Sequence, residues 1–368
     1  MSDAHAARRE RLRERCSAAG WDAALVTSPA NLRWLTGLPG RGAAALLLTR
    51  ERALLVLPEE EHAARRQWRE EDDLRLLPVA DGRDPAEPAA GQAAAARVDV
   101  LGVEEHDLTV ARHRLVGAAA APARLADLDR TVERLRVVKD EEELACLRIA
   151  AEIADQALGE LLESILVGRT ERHLAMELER RMIDHGAEAA AFPVRVGAGP
   201  HAGLAGHVPG ERRVEEGDFL TVALGACYHG YRASAERTFV VGTAPADWQA
   251  ELHALVFAAQ RAGREALLPG RGYREVDRAA RLVLHAAGYA ETEPGPLGHG
   301  VGLEVAEEPH LGPAGTGKLD ACVPVTVGQG VHLPGRGGVR IEDTLVVRPD
   351  EDGGPELLTI TTKELLAL

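Results

Sequence analysis

The chain has 368 residues, of which 45% are hydrophobic and 27% are charged, and this length allows two domains that each bury a core. Its formal net charge of −15 argues against nucleic acid and against an anionic membrane surface as partners, because their phosphates would be repelled. The N-terminal segment is charged and no apolar run approaches the roughly 20 residues of a transmembrane helix, so we expect a cytoplasmic protein without membrane contact.

The N-terminal part alternates predicted helices and strands. A charged helix is predicted over residues 6–19. Apolar runs predict strands over residues 23–26, 44–48, 53–57 and 98–103. The segment 79–99 is rich in Ala, Gly, Pro and Asp, which predicts a loop or a poorly ordered excursion. Together these patterns indicate an α/β domain without a chemical motif of its own.

The chain turns into a second domain around residues 125–138. Asp140 with Glu143 gives a capping-box pattern, and an apolar stripe at helical spacing follows until Gly168. The stripe consists of Leu147, Ala151, Ala154, Leu158, Leu161 and Ile165. Thr170 begins a further helix that ends at Gly186. Two more amphipathic helices are predicted over residues 248–267 and 273–287, and we interpret all these stripes as core.

One motif places a histidine where a ligand could approach the backbone. In GHGVGLEVAEEPHLG (298–312), His299 stands between two glycines, whose lack of a side chain permits close approach. A lone histidine beside glycine is more often packed or solvent-facing, so the weight comes from two further segments. They are HVPGERRVEEGDFLTVALGACYHGYRASAERTF (207–239) and GQGVHLPGRGGVRIEDT (328–344).

In this order and at these separations, the segments resemble the pita-bread metallopeptidase family. This family includes aminopeptidase P, Xaa-Pro dipeptidase, methionine aminopeptidase and the metal-free creatinase. Residues 136–158 resemble the start of its catalytic domain, and residues 8–38 are similar to a creatinase-type N-terminal domain. The resemblance implies an α/β (α+β) protein with a creatinase-like N-terminal domain over residues 1–130 and a pita-bread domain over residues 131–368.

The resemblance also implies a ligand set for metal ions. Family members that hydrolyse peptides hold two divalent metals with two Asp, one His and two Glu, and have a further histidine, which does not bind the metals, in an HExP motif. Here His299 matches the His ligand and Glu342 matches the final Glu. The three other ligand positions hold Ala223, Ser234 and Gly328, and Ala306 replaces the HExP histidine. Two matching ligands out of five indicate that the dimetal centre is largely lost.

Physical chemistry supports this interpretation, since hard divalent ions need several oxygen ligands whose charge offsets the dehydration of the ion. A rebuilt site for a single Mn, Co or Zn ion is an alternative. Glu236 is the candidate surrogate ligand, because it lies two positions beyond Ser234 and would project from the same face of a strand. Otherwise Glu236 is a surface or hinge carboxylate. The matching segments also contain His229, His310 and His332.

Other matching residues indicate metal-free chemistry. His207 matches the family histidine that contacts substrate, and the corresponding histidine of creatinase is the proton shuttle of a metal-free C–N bond hydrolysis. Glu342 and Arg340 could bind or polarise a substrate, with Arg237 and Thr238 supporting the fold behind them. Alternatively, Arg340 and Glu342 are an ion pair retained for packing.

Three functions therefore stay open. The first is a pseudoenzyme that binds a peptide or another small molecule, without a cofactor. The second is a metal-independent hydrolase of a small amide, amidine or guanidino compound that uses His207. The third is a residual metallo-aminopeptidase on Xaa-Pro peptides with one metal, against which the missing ligands and the missing HExP histidine both count. Dimers are common among such relatives, so a homodimer is possible, but the sequence leaves the oligomeric state open.

Overall fold

The computed structural model describes residues 3–39, 43–64, 74–80, 82–164, 166–289 and 295–368. The chain divides into two compact units, Met1–Arg136 and Val137–Leu368. The helices of the first unit are α1 (Asp3–Ala19), α2 (Pro29–Thr36), α3 (Glu59–Ala64), α4 (Ala86–Ala95), α5 (Val110–Ala120) and α6 (Thr131–Arg136). Its strands are β1 (Ala23–Val26), β2 (Ala45–Thr49), β3 (Ala53–Pro58), β4 (Leu74–Val79), β5 (Val100–Val103) and β6 (Arg124–Asp127).

The six strands in the described part of the first unit form one mixed sheet in the order β4-β3-β2-β1-β5-β6. Strand β2 runs antiparallel to both of its neighbours, and the other pairs are parallel. The sequence patterns predicted α1, β1, β2, β3 and β5 close to these bounds, so the α/β prediction for this unit is confirmed. Its apolar core lies between the sheet and helices α4 and α5.

The prediction of a loop over residues 79–99 is wrong, because helix α4 occupies the ten residues Ala86–Ala95 in the middle of that segment. Its buried alanines recur at helical spacing against the sheet and are Ala86, Ala89, Ala90 and Ala93. Alanine is the best helix former, and Pro88 falls in the first turn, where proline is tolerated. The carboxylate of Asp84 accepts a hydrogen bond from Ala86 N–H at 3.0 Å. The spacing of small residues, rather than the content of Pro and Gly, therefore determines this element.

The second unit contains four helices and nine strands among its described residues. The helices are α7 (Glu141–Leu162), α8 (Glu171–Asp184), α9 (Asp247–Glu265) and α10 (Tyr273–Ala286). The strands are β7 (Ala189–Ala190), β8 (Arg195–Ala198), β9 (Phe219–Tyr228), β10 (Tyr231–Val240), β11 (Gly298–Gly300), β12 (Glu307–Leu311), β13 (Pro324–Leu333), β14 (Gly337–Val346) and β15 (Glu356–Leu357). Short 3₁₀ helices span Gly199–Gly203 and Asp350–Asp352.

The predicted helix starts in this unit are confirmed. Asp140 accepts a hydrogen bond from Glu143 N–H at 3.0 Å, and the Glu143 carboxylate accepts one from Asp140 N–H at 3.1 Å, which completes a capping box for α7. The hydroxyl of Thr170 accepts from His173 N–H at the start of α8. Helix α7 ends at Leu162, and Ile165 of the predicted stripe lies outside the described residues.

The sheet of the second unit has the order β12-β11-β13-β14-β10-β9-β7, with β8 paired to β9 and β15 paired to β14. Helix α7 packs on β9 and β10, and helix α9 packs on β13 and β14. Two similar halves, each a long antiparallel hairpin covered by helices, thus share one sheet, as the pita-bread resemblance implies. None of the helices in the described part of the chain has the length and apolar character needed to cross a membrane.

Candidate functional site

Four aligned positions cross the centre of the sheet in the second unit. Ala223 on β9 pairs with Glu236 on β10, Glu236 pairs with Glu342 on β14, and Glu342 pairs with Gly328 on β13. Paired residues of neighbouring strands project to the same face. We call these four residues the strand row. Their neighbours along each strand belong to the cores beneath the helices, so the strand row lies on the face away from the helices.

Glu236 is held between two arginines. Arg195 Nη2 donates to Glu236 Oε1 at 3.0 Å, and Arg340 Nε donates to the second carboxylate oxygen. Burial disfavours ionisation of Glu236, but the charges of Arg340 and Arg195 outweigh it and hold its pKa below the usual range. Glu236 is 4% exposed, so its interpretation as a surface or hinge carboxylate is wrong. Its predicted orientation toward the face of Ser234 agrees with the strand register.

Glu342 has the opposite electrostatic character. Burial and the negative charge of Glu236 raise its pKa to about 7, although Arg340 and a hydrogen bond from Ser234 Oγ at 3.1 Å act in the other direction. A Cβ atom added at Gly328 would lie 2.9 Å from Glu342 Oε2 and 3.0 Å from its Cβ. The Glu342 side chain therefore uses the space beside Gly328. Arg340 forms its ion pair with Glu236, one strand away.

Arg237 lies behind this arrangement, whereas Thr238, two positions from Glu236 along β10, projects to the same face as Glu236. Arg237 is fully buried and donates to the Asp343 carboxylate at 2.8 Å and to the carbonyl of Thr361. The hydroxyl of Thr238 donates to the Arg340 carbonyl at 3.0 Å and accepts from Arg340 N–H at 2.9 Å. These contacts join β10 to β14 and fix the backbone that carries the two charged residues of the site.

His299 lies on β11. Its Nδ1 lies 3.0 Å from the carbonyl oxygen of Gly300, which can only accept, so Nδ1 donates this hydrogen bond. Burial is the main reason that the pKa of His299 lies below its usual value. Its backbone N–H donates to the hydroxyl of Thr326. Across the β11–β12 ladder its partner is His310, which is exposed.

His207 is bonded to a carboxylate that the sequence patterns did not single out. Glu171 is fully buried, and its Oε2 lies 2.8 Å from His207 Nε2 and accepts from Gly210 N–H at 3.1 Å. Its Oε1 lies 2.9 Å from His201 Nδ1 and accepts from Ala198 N–H at 2.9 Å. The two imidazole rings are 4.3 Å apart between centroids. One carboxylate thus orients both histidines.

A small cavity of about 110 Å³ connects this histidine pair to the strand row. Its charged and histidine lining residues are Arg195, Glu236, Arg340, His201, His207 and His332. Of the predicted site residues, the structure brings His207 and Arg340 together here with Glu236. His299 and Glu342 are not among the described residues that line it. His332 lies 3.3 Å from Arg340 Nη1, whereas His229 and His310 are exposed.

Arg195, His201 and Glu171 are site residues that sequence reasoning missed. Arg195 lies on a four-residue strand whose register against β9 is not encoded locally. His201 lies in the glycine-rich segment GPHAGLAGH, whose composition predicts a turn. The two histidines of this segment, six positions apart, were a sequence signal for a shared site. Glu171 directly follows the helix-capping residue Thr170, a position that ordinarily indicates helix stability rather than a site.

Comparison with known proteins places both units in described families. Residues 145–349, more than half of the chain, match metallopeptidase family M24, and residues 8–138 match the creatinase/prolidase N-terminal domain. The uncharacterized peptidase YqhT of Bacillus subtilis is 32% identical over 359 residues, which cover 98% of this chain and 99% of that protein. The Xaa-Pro dipeptidase of Pyrococcus furiosus is 36% identical over 239 residues, covering 65% of this chain and 68% of that protein.

Solved structures agree over the full length. The Xaa-Pro dipeptidase from Bacillus anthracis is 32% identical, with a TM-score of 0.91 and coverage of 99% of this chain and 100% of that one. The X-Pro aminopeptidase from Thermotoga maritima is 28% identical, with a TM-score of 0.88 and coverage of 98% and 100%. These similarities confirm the pita-bread fold and the creatinase-like N-terminal domain. The chain is a member of metallopeptidase family M24, among the Xaa-Pro dipeptidase and aminopeptidase P-like proteins.

Proposed function

We propose that this chain lacks the paired metal ions of its hydrolytic relatives and acts as a binding protein for a small peptide-like, amide or guanidino ligand. The ligand would enter the cavity beside Arg195 and Arg340. The observation that carries this proposal is the ion triad of Arg195, Glu236 and Arg340. Its Glu236 belongs to the strand row, between Ala223 and Glu342, two positions where the resemblance implies carboxylate ligands. A cytoplasmic location and a homodimer belong to the same proposal.

The donor set at the strand row does not fit two divalent ions. Ala223 and Gly328 offer no side-chain donor, and Ser234 offers a neutral hydroxyl that already donates to Glu342. Both carboxylate oxygens of Glu236, the candidate surrogate, are bonded to guanidinium groups. Divalent ions need carboxylate charge to offset their dehydration, and two arginines add positive charge at this place instead.

The same charges suit an anionic group of a ligand. Arg195 and Arg340 carry two positive charges against the single negative charge of Glu236, so the triad has a net positive charge. The side chain of Arg195 is 49% exposed, and its guanidinium has further N–H groups that can reach a ligand while Nη2 stays bonded to Glu236. Guanidinium groups bind carboxylates through paired hydrogen bonds. The C-terminal carboxylate of a short peptide matches this chemistry.

Metal binding at the strand row is the first test. Protein purified without added metal would be analysed for its elements and then titrated calorimetrically with Mn²⁺, Co²⁺ and Zn²⁺, alongside the His299→Ala variant. We expect the His299→Ala variant to bind each ion as the parent protein does. Stoichiometric tight binding that His299→Ala abolishes would overturn the proposal and return the protein to the residual metallo-aminopeptidase alternative.

Ligand binding is the second test, with the dipeptide Ala-Pro as the probe. The expected result is binding without turnover, weakened roughly tenfold or more by Arg340→Met, because a charge-assisted contact is worth about 1.5–3 kcal/mol. Arg261→Met is the matched control, since Arg261 lies on the exposed face of α9 and pairs only locally with Glu265. Equal affinity in all three proteins would argue against the arginine site.

A metal-independent hydrolase is the second candidate function. The specific observation in its favour is the 2.8 Å contact between His207 Nε2 and Glu171 Oε2 beside the cavity, since a carboxylate that orients a histidine can position it for proton transfer. Turnover of creatine or of a small amide that is lost in His207→Ala, with ligand binding retained, would favour this candidate over the binding protein.

A further inference from the structure

The described residues contain one cluster of side chains that could share a metal ion, and it lies away from the strand row. Among these residues, Glu171, His201 and His207 are the only group of three or more His, Cys, Asp or Glu whose ligand atoms all lie within 4.8 Å of one another. None of the three occupies a position that the resemblance implies for a metal ligand. We propose that this cluster binds a single divalent transition metal ion, with zinc or cobalt as the best match.

The donor set has the composition of a three-ligand zinc site. One carboxylate and two imidazoles leave a fourth position for water or a ligand. The N···O distances of 2.9 Å and 2.8 Å from Glu171 to His201 and His207 are those of hydrogen bonds. Donor atoms around tetrahedral zinc lie roughly 3.3 Å apart, given bonds of about 2.0–2.1 Å. Replacing the two bridging protons by one ion would lengthen these two contacts by about 0.4–0.5 Å and would bring the three donor groups, whose ligand atoms already lie within 4.8 Å of one another, to this spacing.

The carboxylate is already fixed and ionised. Ala198 N–H and Gly210 N–H each donate to one oxygen of Glu171, which is the kind of outer contact that orients a metal ligand. Burial opposes ionisation of Glu171, but these hydrogen bonds and those to His207 and His201 outweigh it, so its pKa stays below the usual value. The Glu171 side chain therefore loses little conformational freedom when an ion binds.

The open side of the cluster leads to the ligand cavity. His201 and His207 both line that cavity, and the His201 side chain is 36% exposed, so an exchangeable fourth ligand would come from there. Arg195 and Arg340 line the same cavity and would favour an anionic one. A metal on His207 Nε2 also occupies the lone pair that a proton shuttle needs. Metal binding here and the metal-free hydrolase therefore exclude each other.

The test is a Zn²⁺ titration by calorimetry, repeated with Co²⁺ and its visible absorption spectrum as a direct report of coordination. We expect one bound ion per chain, with affinity reduced on the order of a hundredfold by His201→Ala and by His207→Ala separately. His185→Ala is the matched control, because His185 and Glu160 form a similar pair at 3.0 Å, nearer the surface and without a second histidine. It should bind as the parent protein does.

Three results would overturn this proposal. They are no binding by the folded parent protein, an equal loss in His185→Ala, and a loss in His299→Ala that the two cluster variants do not share. The last result would instead contradict the proposed function, so the two failures are distinguishable. Thermal unfolding of each variant verifies that it is folded, and His207→Gln, which keeps a hydrogen-bond partner for Glu171, separates the loss of a ligand from the loss of a structural contact.

Discussion

Glu236 and Glu342 lie directly opposite each other on strands β10 and β14, and their environments push their pKa values in opposite directions. The two arginines that bond Glu236 keep it charged, and its charge in turn favours the protonated form of Glu342. The two carboxylates therefore behave as one unit, in which a change at either residue alters the protonation of the other.

The first prediction concerns Glu236→Gln. This change removes a negative charge beside Glu342 and leaves Arg195 and Arg340 without their carboxylate partner, so the pKa of Glu342 should fall from about 7 toward its usual range. A ¹³C NMR titration of the glutamate carboxyl carbons measures it. Glu265→Gln, at an exposed pair on α9, should leave the value unchanged. An unaltered pKa in Glu236→Gln would assign the shift to burial alone.

The second prediction concerns stability against pH. The folded-state pKa of Glu342 lies above its ordinary value of 4.5, so the native state binds its proton more tightly than the unfolded state does. This contribution is fully present below pH 4.5 and is lost as the pH rises through about 7. The Glu342→Gln variant has no group that ionises at this position. As the pH rises from 4.5 to about 7, we therefore expect the free energy of unfolding of the parent protein to fall by roughly 1–3 kcal/mol more than that of the variant.

Urea unfolding of both proteins at pH values between 4 and 8 measures this difference. Glu265→Gln again serves as the control, because Glu265 is exposed and forms only a local pair with Arg261. Parallel curves for the parent protein and Glu342→Gln would mean that the Glu342 carboxyl group titrates normally in the native state.

The sequence predicted the strand row only in part. Strand periodicity correctly placed Glu236 on the face of Ser234, because side chains two apart along a strand project to the same side. The sequence did not reveal that Arg195 would reach Glu236, which lies 41 positions further along the chain. This contact depends on the register of β8 against β9. The bond of His207 to Glu171 likewise joins a loop to a helix start 36 positions away. Local patterns predict elements, and non-local register decides which polar groups meet.

The third prediction concerns Gly328→Ala. The added Cβ would approach the Glu342 side chain to 2.9–3.0 Å, closer than nonbonded atoms tolerate, so Glu342 must move within a packed sheet. We expect the free energy of unfolding to fall by about 1–3 kcal/mol. Gly159→Ala on α7 is the matched control and should instead stabilise the protein. A Cβ atom at this position meets no other atom, and in a helix interior alanine is more stabilising than glycine by about 0.5–1 kcal/mol.

The same contact bears on reconstruction of the family's metal site. The combined change Ala223→Asp, Ser234→Asp, Ala306→His and Gly328→Glu restores the donor types that the resemblance implies, but Glu342 and the arginines at Glu236 still occupy the surrounding space. We expect this quadruple variant to gain metal affinity and to gain more when Arg195→Ala is added. Calorimetry with Mn²⁺ compares the two, and the absence of binding by both folded variants would contradict the placement of the site.

The fourth prediction concerns the segment that follows Ala306. Lys139 Nζ lies 3.1 Å from the Glu307 carboxylate, and both side chains are almost fully buried. Lys139→Met removes the positive partner of this buried ion pair and should lower the free energy of unfolding by roughly 3–5 kcal/mol. Adding Glu307→Gln should recover most of this loss, because a neutral amide still accepts the hydrogen bond from Glu304 N–H. Chemical denaturation of the single and double variants measures both steps, and a double variant as unstable as Lys139→Met would show that packing, rather than charge, carries the effect.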